Sequence, residues 1–254
     1  MKGRLAGVGV VLTRPRRDAE RLARELEAEG ARAFVFPAIE IVPTPPSPAR
    51  DTAIDALDRA ALAIFVSANA VEHGLAAVAA RRPWPAGPRI AAIGDATAAA
   101  LRNSGFRDVI SPRERHDSDG LLALQPLQAV RGEAIIVFRG EGGRERLKDV
   151  LESRGARVSY AECYRRVRPT ADAAPLLAAW RRGEVHAVSA LSAETLDHFV
   201  AMLGAEAHED MMRTPLLVPH EAIAAAPAAR HFARAIVTAP GASGLADALA
   251  GLRA

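Results

Sequence analysis

The chain has 254 residues, of which half are apolar and a quarter charged, a balance that is ordinary for a globular protein. The formal net charge is +3, but only 4% of residues are aromatic and no basic–aromatic interleaving occurs, so nucleic acid is a weak candidate partner. No apolar run approaches the roughly 18 residues that a membrane helix needs, and no signal stretch precedes the first predicted strand, so we expect a cytoplasmic protein without membrane contact.

Short apolar runs alternate with helix-forming segments from the start of the chain. After the first run, Ala19, Leu22, Ala23 and Leu26 fall on one face of a helix. Strands that alternate with helices predict an α/β fold with parallel sheets covered by helices on both faces. The predicted strands of the first half are residues 8–12, 33–36, 62–66 and 90–93.

The same pattern returns in the second half at an offset of 125 positions (139 − 14, and equally 155 − 30). Ser67 and His73, for example, return as Ser192 and His198. This repeat predicts two similar domains, which we expect to face each other across a cleft. The positions of the first copy that recur without a gap are Arg14, Glu20, Arg21, Leu22, Leu26, Glu27, Gly30, Ala31 and Arg32.

Proline placement predicts where the chain crosses between the two domains. Five prolines crowd residues 37–48, and two more follow the equivalent point of the second copy, at residues 169 and 175. Proline forbids helix and stiffens linkers. We therefore predict a discontinuous domain of residues 1–36 plus 170–254, a continuous domain of residues 44–162, and a two-stranded linker of residues 37–43 and 163–169. A cut near residue 130 meets only a predicted helix end and a turn.

Two arginines, Arg14 and Arg139, end equivalent predicted strands just before a helix begins. Ligands of open α/β sheets collect at such strand ends, and free backbone N–H groups there favour anions. A tight turn with solvated arginines is the alternative, and the glycine-rich turn after Arg139 has neither Walker nor dinucleotide-binding spacing. The candidates at these two turns are Thr13, Arg14, Arg139, Gly140, Gly143 and Arg144.

Further candidates lie where other predicted strands enter helices. Ser67, Ala68 and Asn69, and the counterpart Ser192, are either simple helix caps or donors of N–H groups to a ligand. Gly94 and Thr97 form a similar turn, whereas the equivalent residues 218–223 have neither the glycine nor the hydroxyl.

Tyr164, between Cys163 and two arginines, lies in the second predicted linker. Its phenol either donates a proton or hydrogen bond to a ligand or only covers the hinge. Cys163 is the only cysteine, so it is either a small buried hydrophobe, which we favour, or a reactive thiol. No histidine has carboxylates or cysteines at metal-ligand spacing, so we predict no metal site.

Taken together, these segments resemble the uroporphyrinogen-III synthase family over essentially the whole chain. No segment is specific alone, but their order, spacing and duplication are together characteristic. The segments are residues 12–15 (LTRP), 36–41 (FPAIEI), 64–71 (IFVSANAV), 93–98 (IGDATA), 118–122 (SDGLL), 139–144 (RGEGGR) and 164–166 (YRR).

The resemblance implies a cofactor-free lyase that converts hydroxymethylbilane into uroporphyrinogen III, with loss of water and inversion of the terminal pyrrole ring. It implies two similar flavodoxin-like domains joined by a two-stranded linker, with the active site in the cleft. The expected partners are the tetrapyrrole substrate and, transiently, hydroxymethylbilane synthase, and the chain is expected to act as a monomer.

The resemblance also assigns roles to the candidate residues. Tyr164 matches the linker tyrosine of the family and would assist departure of the substrate hydroxyl. Because residues 218–223 lack the Gly-x-Thr-Thr form of some relatives, no catalytic threonine is carried over there. The residues expected to bind substrate carboxylates are Thr13, Arg14, Ser67, Ala68, Asn69, Gly94, Thr97, Arg139, Gly140, Gly143, Arg144 and Ser192.

A second class of protein is compatible with the same pattern. A non-catalytic bilobal protein that binds or senses an anionic ligand would also use two α/β lobes with crossing linkers. A nucleotide-dependent enzyme, as a third class, lacks a phosphate-binding fingerprint.

Overall fold

The computed structural model describes residues 3–252. Strands and helices alternate along this part of the chain, as the apolar pattern predicts. The strands are β1 (Gly9–Leu12), β2 (Arg32–Val35), β3 (Glu40–Pro43), β4 (Leu62–Phe65), β5 (Arg89–Ala92), β6 (Val109–Ile110), β7 (Ala134–Gly140), β8 (Arg157–Val167), β9 (Ala187–Ser189), β10 (Leu216–Val218) and β11 (Ala235–Val237).

The α-helices are α1 (Arg16–Ala28), α2 (Pro48–Asp55), α3 (Ala68–Ala79), α4 (Asp95–Asn103), α5 (Ser118–Leu122), α6 (Arg146–Ser153), α7 (Ala174–Arg181), α8 (Ala193–Leu203), α9 (His208–Met212), α10 (Glu221–Ala224) and α11 (Gly241–Gly251). Short 3₁₀ helices cover Ala56–Arg59, Gln125–Leu127, Ala205–Ala207 and Pro227–His231. Within residues 3–252, no helix combines the length and the apolar character needed to cross a bilayer.

The four strands predicted for the first half are confirmed, with ends that shift by at most one residue. The predicted helical face is confirmed as well, because Ala19, Leu22, Ala23 and Leu26 are the buried residues of α1. The helix stops where Gly30 takes a positive φ of 95°, a conformation that glycine adopts without a steric penalty.

The chain divides into two compact units, Met1–Glu40 with Val167–Ala254, and Ile41–Arg166. The first unit contains a five-stranded sheet in the order β11-β10-β9-β1-β2, whose neighbouring strands are all parallel. The second sheet has six strands in the order β3-β8-β7-β4-β5-β6, and its pairs from β8 to β6 are parallel.

Each sheet combines strands from both copies of the repeat. In the first unit, β1 of the first copy pairs with β9 of the second, and in the second unit β7 of the second copy pairs with β4 of the first. The equivalent pairs β1–β2 and β7–β8 also have the same register, since Gly9 lies opposite Arg32 and Ala134 opposite Arg157.

Both faces of each sheet are buried, as expected for parallel sheets. Along β7, Ile136 and Phe138 enter one apolar cluster, while Ile135 and Val137 enter another. Along β1, Val11 likewise enters a different cluster from Val10 and its neighbour Leu12. Successive side chains of a strand point to opposite faces, so the alternation fixes a helical layer on each side.

The segment predicted as a second linker strand is the carboxyl-terminal part of a longer strand. β8 runs from Arg157 to Val167 and stays paired with β7 through a register shift between Arg139 and Gly140. The neighbour of β8 on its other side is β3. Just beyond β3, Thr44 donates its backbone N–H to Cys163 O (3.1 Å).

The independent stability of the two units is a prediction. A fragment of residues 41–166 retains the whole β8-β7-β4-β5-β6 ladder, so we expect it to unfold cooperatively by circular dichroism on heating. A fragment of residues 1–131 separates β4 from β7, so we expect it to be unfolded or aggregated. The assignment is wrong if residues 1–131 fold and residues 41–166 do not.

Candidate active site

A cavity of about 380 Å³ lies at the carboxyl-terminal edge of the six-stranded sheet, within the unit Ile41–Arg166. Val66 follows β4, Ile93 follows β5 and Gly140 ends β7, and all three line this cavity. Ligands of open parallel sheets bind at this edge. The remaining wall comes from residues 116–118, the glycine-rich turn after β7, the start of α6 and the side chains of β8.

Tyr164 lies in β8 and lines the cavity with only 4% of its surface exposed. Its ring packs against Gly140, where a Cβ atom would stand 2.7 Å from two ring carbons, so glycine is required there by the ring. Its backbone carbonyl accepts the N–H of Glu141 at 2.7 Å. The centroid of the His73 ring lies 5.8 Å from that of the Tyr164 ring, with an angle of 32° between the two ring planes. The phenol is therefore held rigidly from several sides.

The Tyr164 hydroxyl forms a hydrogen bond with Ser67 Oγ at 3.0 Å. Ser67 caps α3 and accepts the N–H of Ala70 at 3.0 Å, as a serine at a helix start commonly does. Ala68 and Asn69 form the first turn of α3, with Ala68 exposed to solvent and Asn69 half-buried. Ser67 is therefore a helix cap, as one of the two sequence-based interpretations has it, and it also contacts the phenol. Donation of N–H groups from this helix start to a ligand stays a prediction.

Arg139 is 5% exposed and its guanidinium is already occupied by acceptors of the protein. It donates to Glu145 Oε1 at 3.0 Å, to Gly140 O at 3.2 Å and to Gly142 O. The guanidinium also lies 4.3 Å from the ring centroid of Tyr160. The assignment of Arg139 to carboxylate binding stays a prediction, whereas these bonds hold the turn after β7 in place.

The side chains around Arg139 are those of Glu145, Tyr160 and Glu162. Tyr160 donates its hydroxyl to Glu145 Oε2 at 2.7 Å, and this bond, with that from Arg139, lowers the pKa of the Glu145 carboxyl. Burial, followed by the bond to Glu145, raises the pKa of Tyr160. Glu162 accepts the N–H of Gly142 at 3.2 Å and lies 3.9 Å from Arg139 Nε. Sequence reasoning missed Tyr160 and Glu162, because nothing in their spacing relates them to Arg139. It also gave no role to Glu145, although this residue recurs in the repeat as the equivalent of Glu20.

Two exposed arginines, Arg144 and Arg166, also line the cavity. Within residues 3–252, neither forms a hydrogen bond or an ion pair with the protein, so both guanidinium groups remain available for a ligand. The sequence predicts Arg144 as a site residue. It gives Arg166 no role beyond that of a neighbour of Tyr164, although alternation along a strand places residues 164 and 166 on the same face.

Gly94 and Thr97 are predicted to bind substrate together, but neither is among the residues that line the cavity. A Cβ atom on Gly94 would lie 2.8 Å from His116 Cβ, so the glycine accommodates the segment that carries His116 into the cavity wall. Thr97 is a buried residue of α4, 4% exposed, and is not among the residues that line the cavity. A binding role for either residue stays a prediction.

The remaining predicted residues belong to the unit Met1–Glu40 with Val167–Ala254. Thr13 is fully buried and donates its hydroxyl to Ser189 O at 2.8 Å. Arg14 has a buried Nε atom with no hydrogen-bond partner among residues 3–252, and burial lowers the pKa of its guanidinium. Ser192 caps α8, accepting the N–H of Thr195 at 3.1 Å.

Cys163 behaves as the favoured interpretation predicts. Its side chain is 1% exposed, its thiol donates to Ala161 O at 3.3 Å, and burial raises its pKa to about 12. A thiol that stays protonated and buried is a poor nucleophile. Among residues 3–252, no three histidine, cysteine, aspartate or glutamate side chains converge in a way that could hold a metal ion.

The fold and this cavity define an α/β protein of two compact units. At one sheet edge it holds a buried phenol and two arginines that have no partner in the described part of the chain. The sequence profile described as "Uroporphyrinogen-III synthase HemD" matches residues 20–246. The chain therefore belongs to the uroporphyrinogen-III synthase family, as the resemblance predicted.

Individual relatives agree with this assignment. The chain is 35% identical over 220 residues to the uroporphyrinogen-III synthase of Salmonella typhimurium, covering 85% of this chain and 89% of the relative. It is 33% identical over 197 residues to that of Escherichia coli, covering 77% and 80%. Membership of an enzyme family favours the enzymatic interpretation over the non-catalytic binding protein.

Solved structures support the fold assignment independently. The uroporphyrinogen-III synthetase of Helicobacter pylori superimposes with a TM-score of 0.61 at 12% identity, covering 97% of this chain and all of the other. A mutant uroporphyrinogen III synthase of Thermus thermophilus gives a TM-score of 0.59 at 20% identity, covering 97% and 98%. The two-unit α/β architecture is thus shared at identities where few side chains coincide.

Proposed function

We propose that the chain catalyses the cofactor-free conversion of hydroxymethylbilane into uroporphyrinogen III, a lyase reaction that eliminates water. The observation that carries the proposal is the rigidly held phenol of Tyr164 in a cavity that also exposes Arg144 and Arg166. A proton donor beside unpaired guanidinium groups suits a polycarboxylate whose reaction begins with loss of a hydroxyl.

In the proposed first step, Tyr164 donates its phenol proton to the hydroxymethyl oxygen of the substrate. The C–O bond breaks, its electron pair leaves with the oxygen as water, and the positive charge is delocalised onto the adjacent pyrrole. The terminal pyrrole then closes the ring in inverted orientation. The proton that a pyrrole carbon loses restores the phenol, so the overall reaction releases only water.

The protein contributes mainly position and charge. Proximity and orientation can supply a large part of a rate enhancement when the reacting ends are held in the productive geometry. Arg144 and Arg166 are the cations of this cavity that can bind substrate carboxylates, while Arg139 keeps the turn that carries Arg144 in shape. In the other unit, Arg14 has a donor that lacks an acceptor among residues 3–252, which supports its predicted role.

The comparison between the equivalent residues Arg14 and Arg139 supports different roles for them, a structural role for Arg139 and a ligand-binding role for Arg14. The partners of Arg139 are Tyr160, Glu162 and Glu145. Their equivalents at the 125-residue offset are Val35, Pro37 and Glu20, of which the last is 3.7 Å from Arg16. Two of the three partners of Arg139 are therefore replaced by apolar residues around Arg14, and the repeated carboxylate, Glu20, pairs with Arg16 instead, so the N–H groups of Arg14 suit a ligand carboxylate.

Localisation and assembly are part of the same proposal. A protein that acts on a small tetrapyrrole needs no membrane contact, and we expect a cytoplasmic monomer. We also expect any contact with hydroxymethylbilane synthase to be transient.

The substitution Tyr164→Phe tests the proton donor. Phenylalanine retains the ring that packs against Gly140 but removes the hydroxyl, so the fold should persist while kcat falls about 10²-fold or more. The assay supplies hydroxymethylbilane and separates uroporphyrinogen III from the isomer I that forms spontaneously. A decrease below tenfold would assign proton donation to water or to the substrate carboxylates, and absence of isomer III with the unmodified chain would refute the proposed function.

The pair Arg144 and Arg146 tests carboxylate binding with a matched control. Arg144 lines the cavity without a protein partner among residues 3–252, whereas Arg146, also exposed and two residues further on, pairs with Asp119 at 2.9 Å. Arg144→Gln should raise KM roughly tenfold, with kcat little changed and the difference reduced at high salt. Arg146→Gln should leave both constants unchanged. Equal effects of the two substitutions would show that only general surface charge matters.

A further inference from the structure

The hydrogen bond between Ser67 and Tyr164 joins residues that are 97 positions apart in the sequence. Ser67 follows β4 at the start of α3, and Tyr164 lies in β8. The geometry allows either hydroxyl to be the donor, and the choice decides whether the phenol proton is available to a ligand.

A count of protons separates the two arrangements. Each hydroxyl has one proton to give. Ser67 Oγ already accepts the N–H of Ala70 at 3.0 Å. If Tyr164 donated to Ser67, the single phenol proton would be directed away from the ligand. If Ser67 donates to Tyr164, the phenol proton is free to point into the cavity that Tyr164 lines.

The local electrostatics favour donation by Ser67. The N–H of Ala70 and the positive end of the 12-residue helix α3 withdraw electron density from Ser67 Oγ, which makes its hydroxyl a better donor. A bond that runs from the helix start through Ser67 to Tyr164 Oη also stabilises the phenolate that remains after proton transfer, since hydrogen bonds to a charged group are the stronger ones.

We propose that Ser67 is a positioning residue that donates its hydroxyl proton to Tyr164 Oη and thereby directs the phenol proton at the leaving oxygen of the substrate. The inference rests on the proposed function, in which that proton leaves with the hydroxyl as water. Ser67 gives up no proton itself. It acts on the substrate only through Tyr164. This positioning role takes the place of the carboxylate-binding role expected from the sequence.

The rigidity of the tyrosine makes this hydrogen bond decisive. The ring is fixed by its contact with Gly140 and by the backbone bond from Glu141 to Tyr164 O, so the hydroxyl oxygen has little room to move. What remains free is rotation of the phenol proton about the C–O bond. Ser67 sets that rotation by occupying one lone pair of the phenol oxygen.

Substitutions of Ser67 in the full chain test the proposal. Ser67→Ala should lower kcat roughly tenfold while KM changes less than threefold, because substrate binding does not involve Ser67. Ser67→Thr retains a hydroxyl and a helix cap and should stay within about threefold of the unmodified chain. Ser67→Asp caps α3 but has no proton to donate when ionised, so its kcat should fall at least as far as that of Ser67→Ala.

A matched control separates the effect on Tyr164 from loss of a helix cap. Ser47 caps α2 by accepting the N–H of Arg50 at 3.3 Å and does not line the cavity of Tyr164. Ser47→Ala should therefore lower the melting temperature about as much as Ser67→Ala and leave kcat unchanged.

The double variant Ser67→Ala/Tyr164→Phe decides whether Ser67 acts through Tyr164. Without the phenol, loss of Ser67 should lower kcat by less than a further twofold. Independent, multiplying losses would overturn the proposal in favour of a direct contact between Ser67 and substrate, and an active Ser67→Asp variant would overturn it as well. If the unmodified chain is active and Tyr164→Phe is slow, multiplying losses or an active Ser67→Asp variant refute only the role of Ser67 and leave the proposed function intact. An inactive unmodified chain refutes the proposed function instead.

Discussion

The parallel pairing of β4 with β7 is the constraint on which the candidate site depends. It places Leu62 opposite Ile135 and Phe65 opposite Phe138, and so joins a strand of the first copy to one of the second. The carboxyl ends of the two strands meet at one edge of the sheet, where β4 leads to Ser67 and β7 ends in the glycine-rich turn. Neither copy alone contains both walls of the cavity.

Core packing explains why this pairing is stable. The rings of Phe65 and Phe138 are fully buried and stack with centroids 4.6 Å apart and an interplanar angle of 6°. Trp84 covers both rings, and Gly74 of α3 leaves the space they need, since a Cβ atom there would lie 2.8 Å from Phe138. Truncation of such a buried phenylalanine to alanine typically costs about 3–5 kcal/mol, so the contact that builds the core also holds the site together.

Periodicity and duplication can both be read directly from the order of residue types, and for that reason the fold could be predicted from the sequence. The apolar runs located the four predicted strands of the first half to within one residue, and the fixed offset revealed that Arg14 and Arg139 are equivalent. The same signals could not show that Arg139 is occupied by Glu145 and Tyr160, because that contact depends on how β7, α6 and β8 pack together. Tyr164 was identified by resemblance, but its bond to Ser67 requires the tertiary structure.

Native-state hydrogen exchange, followed by mass spectrometry, tests most directly whether β4 and β7 form one cooperative unit. The conservative substitution Phe138→Leu weakens the ring stack while it preserves an apolar side chain. Amides of residues 62–65 and 134–140 should lose protection together in this variant, while those of β1 and β9 retain theirs. Loss of protection in β7 together with β1, with β4 unaffected, would contradict the strand exchange and with it the assembly of the site.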